Sequence, residues 1–280
     1  MLSDQSVDRR WLVRNFNEKK VLLVADLHLG FDVEWFGRGL WTSKPSWSLE
    51  IIKNLRDDIL KIHPSHLVVC GDLEHHFRLK KKKEMEDSHI ILPEEVRETI
   101  LNSFRNEILR IPNLEVILVQ GENDVSFYQE LEDSCQVLPS EGKSLFDNHL
   151  GIFHGQIPPF KEIVFTSEII LGHLHPEIVL KDDLQIRHKF PVYFKLQVPR
   201  EDLFQLFHFP FELEEIGMVD MAPITILPAY NHFLSGYVMN IVGGGRKRHK
   251  SYPILRPLLH HPNAEIKMTD GIDLGLLSNI

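Results

Sequence analysis

Acidic and imidazole side chains recur in this sequence at the ends of short apolar runs. Asp26 and His28 close "KVLLVADLH", Asp72 closes "HLVVCGD", and Glu122, Asn123 and Asp124 close "LEVILVQGEND". His154 follows "LGIF", and His173 and His175 end "EIILGHLHP". Carboxylate oxygen together with imidazole nitrogen suits first-row divalent ions, manganese first, with iron and zinc as alternatives. The two cysteines, Cys70 and Cys135, stand far apart and form no ligand pair, which disfavours a structural zinc site. A D-x-H or H-x-H pair on an extended segment puts both side chains on one face, because strand side chains alternate with period two. One strand end can then give two ligands to one ion. The whole set exceeds what one ion needs, and two ions sharing a bridging carboxylate would use it better.

The runs that carry these residues have the β-branched enrichment and turn punctuation of buried strands: Lys20 to Asp26, His66 to Asp72, Leu114 to Asp124, Leu150 to Gly155 and Glu168 to Pro176. Between the first two, Leu49, Ile52, Leu55, Ile59 and Ile62 recur at helical spacing, and between the next two Val96, Ile100, Phe104, Ile108 and Ile111 do the same. Pro93, Glu94 and Glu95 suit the first turn of that second helix. Strands alternating with helices predict a largely parallel sheet with covered faces, whose carboxyl ends converge on one crevice. After Pro176, "PVYFKLQV" and "ITILPAY" predict a second sheet layer. No repeat or low-complexity linker divides the chain, so a single domain over residues 1–280 is expected, with a core of about residues 20–238 and a C-terminal extension over 239–280.

Composition narrows the function classes. With 280 residues, 43% hydrophobic and 25% charged, the chain can bury a sizeable core. Its apolar runs are shorter than the roughly 20 residues of a membrane span, and no charged-then-apolar leader is present, so a cytoplasmic protein without membrane partners and with reduced thiols is expected. The net charge of −9 argues against a broad nucleic-acid-binding face but allows a small local one. Two stretches read as surface loops with such a character: "RLKKKKEMED" from Arg78 to Asp87, and "GGGRKRHK" from Gly243 to Lys250.

In order and spacing, "DLHLG", "GDLEHHF", "GEND", "HG" and "GHLHP" resemble the motifs of the calcineurin-like metallophosphoesterases. With the later "LPAYNHFLSGY" they resemble more narrowly the subfamily associated with DNA ligases or helicases, over roughly Val21 to Tyr237. The resemblance implies an α/β fold, a four-layer αββα sandwich of two mixed sheets flanked by helices, around a dinuclear metal centre. It assigns Asp26, His28 and His175 to the first ion, His154 and His173 to the second, and Asp72 to both. The family's asparagine ligand falls at Glu122, its catalytic histidine at Asn123, and its final acid at Asp124. A slip of one residue would instead give Asn123 the ligand position. An amide cannot donate a proton to a leaving oxygen as imidazolium can, a contribution typically worth ~10²–10⁴-fold, and His75 or His76 is the expected substitute.

The implied activity is metal-dependent hydrolysis of a phosphodiester, nucleic acid included, or of a phosphomonoester. Two ions bridged by Asp72 would generate a hydroxide that attacks phosphorus in line. The implied partners are DNA or RNA and DNA-processing proteins. A rival class is a metal-binding, catalytically silent homologue that binds a phosphorylated ligand or partner. If the Arg246 to Lys250 loop tracks a nucleic-acid backbone, neutralising Arg246, Lys247 and Arg248 together weakens binding and flattens its salt dependence, leaving hydrolysis of a small activated ester unchanged. Binding titrations across salt concentrations check this, and an unchanged slope rejects the role.

Overall fold

The computed structural model describes residues 8–32, 45–75, 77–78, 89–90, 94–124, 127–210, 220–241, 255, 257–261 and 263–280. His76, Pro93 and both basic stretches, apart from Arg78 at the edge of the first, lie outside them. The first sheet is ordered β1 (Leu12–Phe16), β2 (Lys19–Val24), β3 (His66–Val69), β4 (Glu115–Val119) and β5 (Gln136–Leu138). β1 pairs antiparallel to β2, and every later pair is parallel. The parallel crossovers carry α1 (Ser46–Ile62), α2 (Glu94–Phe104), which runs on into a π-turn over Arg105–Leu109, and α3 (Phe127–Leu131). Both long helices fall where apolar periodicity predicts them. His63 closes α1 in the left-handed conformation, with φ 52°.

The second sheet runs β12 (Tyr237–Val238), β9 (Pro176–Lys181), β10 (Arg187–Pro199), β11 (Met221–Ile226), β8 (Glu168–Leu171), β7 (Leu150–Phe153) and β6 (Lys143–Leu145). β13 (Glu265–Met268) joins it by pairing with β10, and β14 (Asp273–Leu276) follows as a hairpin. Helix α4 (Arg200–Leu206) covers its outer face. A separate ribbon joins Phe77–Arg78 to His89–Ile90.

This partition corrects the expectation of one largely parallel sheet through Pro176. β7 and β8 belong to the second sheet, which therefore begins before "PVYFKLQV". Strands buried on both faces read alike in either sheet. What separates the sheets is the short turn over Pro139–Gly142 where an earlier crossover carried a helix.

Alternation along the strands builds four layers. Leu22, Val24, Leu67, Val69 and Leu118 face Ile52, Leu55, Ile100 and Phe104 of the helices. The intervening Val21, Leu23, Val68 and Ile117 meet Leu150, Ile152 and Ile170 between the two sheets. Ile169, Leu171, Leu196 and Ile224 point away from that interface, toward Leu203 and Phe204 of α4. The fold is the expected mixed α/β sandwich of two mixed sheets flanked by helices. Among the described residues no helix is long and apolar enough to cross a membrane.

Phe104 is fully buried between α2 and the first sheet. Phe104→Ala should cost about 3–5 kcal/mol, read as a lower urea midpoint at unchanged slope.

Candidate metal centre

The strands stop before the chemistry begins. β2 ends at Val24 and β3 at Val69, yet backbone pairing continues irregularly beyond them, with the Asp26 N–H donating to Gly71 O (3.1 Å), His28 to Asp72 O (2.8 Å) and Leu29 to Leu73 O (2.7 Å). Asp26, His28, Asp72, His173 and His175 all have positive φ, between 45° and 71°. These residues sit in left-handed turns, not on extended strand, so the two-on-one-face expectation holds for Asp26 and His28, which share a donor group, and fails for His173 and His175, which fall in different groups. Such conformations cost of order 1–3 kcal/mol each for residues with a side chain, and they persist where surrounding contacts fix them.

Those contacts come from the late "LPAYNHFLSGY" segment and from two glycines. The Asn231 side chain, buried, donates to Leu27 O (2.9 Å), the Tyr230 N–H donates to Ala25 O (2.8 Å), and the Tyr237 N–H donates to His175 O (3.1 Å). Asn231 is a positioning residue that residue types alone do not reveal, because it binds backbone 204 positions away. Gly121 is required by proximity, since a methyl group there would collide with Asp72 Oδ1. At Gly71, with φ 89°, it would collide with the His154 ring.

Two groups of donors result. Asp26, His28 and His175 form one, and Asp72, His154 and His173 form the other, each with ligand atoms within 4.8 Å of one another. Donors sharing an ion at about 2.1 Å lie no more than about 4.2 Å apart, so either group needs little closure. Asp72 stands between the groups, its Oδ2 3.4 Å from His28 Nε2 and 3.4 Å from His154 Nε2. The groups also meet through Asp26, whose carboxylate accepts the His173 N–H at 3.0 and 3.2 Å. His175 Nε2 is 3.2 Å from Asp26 Oδ1, and His154 Nε2 is 3.2 Å from His173 Nδ1.

The donor set fits divalent ions. His28 Nε2 is buried and makes no hydrogen bond among the described residues. His154 Nδ1 lies 2.9 Å from Cys70 O, where an N–H donates, so that Nε2, turned toward Asp72 and His173, is the atom that can face an ion once its proton is displaced.

Glu122, expected as a ligand, is exposed and belongs to neither group. Asn123 faces the centre instead, donating through Nδ2 to Asp72 Oδ2 (2.8 Å) and through its backbone N–H to Asp72 Oδ1 (3.0 Å). Asp124 turns away to hold the loops, accepting from the Glu74 N–H (2.7 Å) and the Gly121 N–H (2.6 Å). His75 Nδ1 sits 3.1 Å from His28 Nδ1, and its ring packs edge-on to Phe31.

Burial pulls His28 well below the usual imidazole range and His173 down to about 3, so both are neutral donors. Burial also opposes charge on His154, but Asp72 and Asp26 outweigh it and hold its proton up to about 10. His175 moves the same way, because Asp26 overcomes its burial. The Asp72 carboxyl is likewise buried, yet His154 and His28 keep it well below the carboxylate range. Burial and Asp72 push Asp124 up to about 7.

No protein-family model matches the chain, and no curated protein matches it in sequence. The crystal structure of the Pseudomonas putida nuclease MPE matches 94% of this chain and 100% of its own, at 15% identity and a TM-score of 0.50.

The protonation pattern fixes a sign. A metal ion takes neutral imidazole, so binding at pH 7 displaces a proton from His154, and apparent affinity climbs as pH rises toward about 10, a trend that the upward shift of His175 reinforces. Calorimetry of manganese binding in buffers of differing ionisation enthalpy should register about one proton released. Affinity independent of pH between 6 and 9 would contradict this protonation pattern. From the fold and the donor groups together, the chain is a mixed α/β protein that shares its fold with that nuclease and gathers two candidate metal-binding groups of aspartates and histidines.

Proposed function

We propose that the chain is a metal-dependent phosphoesterase acting on phosphodiesters, with nucleic acid the substrate class and manganese the first choice of metal. The observation that carries this reading is the pair of buried Asp/His groups meeting at Asp72, at the same edge of both sheets. The likeness of fold to a nuclease supports the choice of substrate class. Asp26, His28 and His175 would hold one ion, His154 and His173 the other, and Asp72 both.

When bound, two divalent ions supply Lewis acidity toward phosphoryl oxygens and lower the pKa of a water nucleophile. The chain's own residues do the rest. Asp72 is held in one orientation by the two hydrogen bonds from Asn123. Asn123 takes the amide ligand position that the motif otherwise assigns to Glu122, its side chain lying against the shared carboxylate. The His154 ring is held in one orientation by Cys70 O. With Asn123 engaged against Asp72, the turn offers the leaving oxygen no imidazolium proton, so turnover depends more steeply on the leaving group than with an imidazolium donor.

Manganese-dependent hydrolysis of an activated aryl phosphodiester, lost in Asp72→Ala, is the expected result. Asn123→Ala should weaken metal retention by ~10–100-fold while Glu122→Gln leaves it nearly unchanged. Bound manganese with no hydrolysis in any metal would instead favour a silent module that binds a phosphorylated ligand. Metal loss in Glu122→Gln would restore Glu122 as a ligand.

A further inference from the structure

The hairpin of β9 and β10 begins directly after His175. β10 is level with β11 and β8 at Phe194, which pairs with Ile226, itself paired with Leu171. Residues before Phe194 therefore run past the sheet's edge on the side where His173, His175 and Asn231 sit. β9 pairs with β10 from Glu177 opposite Pro191 to Lys181 opposite Arg187. At about 3.3 Å per residue, Lys181 stands up to ~20 Å beyond His175.

This arm is firmly built. Asn240 brackets Val179, accepting its N–H (2.9 Å) and donating to its carbonyl (2.8 Å). Lys189 pairs with the buried Glu177 (3.4 Å) and bonds Ser235 (2.7 Å). At the tip, Asp182 accepts from the Leu184 and Ile186 N–H groups, both at 2.9 Å, and pairs with His188.

What the arm presents outward is unusual. Leu184 is 79% exposed and Ile186 52%, two positions apart at the tip. Lys181 and Arg187 lie directly opposite each other across the two strands, a like-charge pairing that disfavours the hairpin; Lys181 Nζ donates to Gln185 Oε1 (3.4 Å), and both residues line one cavity with Asn240 and Ile241, where a phosphate oxygen would relieve the repulsion. The acids nearby are Asp182, Asp183 and Glu177, of which Asp182 and Glu177 are already engaged.

We propose that this hairpin is a duplex-docking wedge: Lys181 and Arg187 straddle a backbone phosphate while Leu184 and Ile186 press on a base step and unstack it. Apolar side chains delivered beside basic ones are a recurring means of opening a base step. At 3.4 Å of rise per base pair, the arm reaches about six base pairs from the metal centre. The proposal rests on the phosphoesterase reading and adds to it a device for freeing one strand to reach buried ligands.

The test uses Leu184→Ser with Ile186→Ser, and separately Lys181→Gln with Arg187→Gln, in the full chain. Three substrates are compared: an aryl phosphodiester, a single strand, and a duplex carrying a fluorescent adenine analogue near its end. The serine pair should lower duplex cleavage by about tenfold and remove the fluorescence rise on binding, with aryl-ester and single-strand hydrolysis unchanged. The glutamine pair should flatten the salt dependence of duplex binding by about two phosphate contacts. Duplex cleavage and fluorescence like wild type overturn the wedge, as does an equal loss on the single strand. Self-association lost in the serine pair with duplex binding intact would make the tip a protein contact and also overturn it. If the wild type hydrolyses nothing, the phosphoesterase reading fails by itself, and fluorescence on duplex binding still tests the arm.

Discussion

Everything at the candidate centre is arranged around one buried carboxylate. Asp72 is 2% exposed, with imidazole nitrogens at 3.4 Å from two directions and Asn123 bonded to both of its oxygens. A charge removed from water at that depth is costly unless it is matched, and here every side is matched by a donor or a cation site. His28 approaches from the loop after β2, His154 from the end of β7 and Asn123 from the turn after β4. The carboxylate therefore ties the two sheets together at one edge. It is as much a constraint on the fold as a feature of the site.

The sandwich pays for this arrangement with its apolar layers. Three packed cores, on the outer face of each sheet and between them, leave the strand ends no freedom to drift. That rigidity is what holds five residues of the centre in left-handed backbone. It also explains the glycines: where Gly121 and Gly71 pass Asp72 and His154, any side chain would push the carboxylate or the imidazole out of line. Asn231 and Tyr237 close the arrangement from the far end of the chain by satisfying carbonyls that the strained turns leave outside regular pairing.

Asp124 and Asn123 divide the work of one turn. Asp124 binds backbone N–H groups on either side and joins the third loop to the second, while Asn123 reaches the shared carboxylate. With the turn fixed at both ends, the side chain between Gly121 and Asn123 is directed outward, which is why Glu122 is exposed despite its ligand-like chemistry.

The sequence by itself determined the donor types, the buried strands that carry them, and both long helices. Each of these is local: a period of two or 3.6, a turn residue, an acid beside an imidazole two positions on. That six aspartates and histidines gather beyond the strand ends was legible because their spacing recurs there. Three things were not legible. The sheet to which β7 and β8 belong depends on a crossover that a short turn replaces, and apolar runs look the same in both sheets. Which of Glu122 and Asn123 lies against Asp72 depends on how the turn after Gly121 is set, and Asp124 sets it by accepting from the Glu74 N–H fifty positions away. Asn231 acts on backbone 204 residues distant, and no local pattern carries that information. Tertiary structure alone decides such matters, because they are set by which groups are close once the layers have packed.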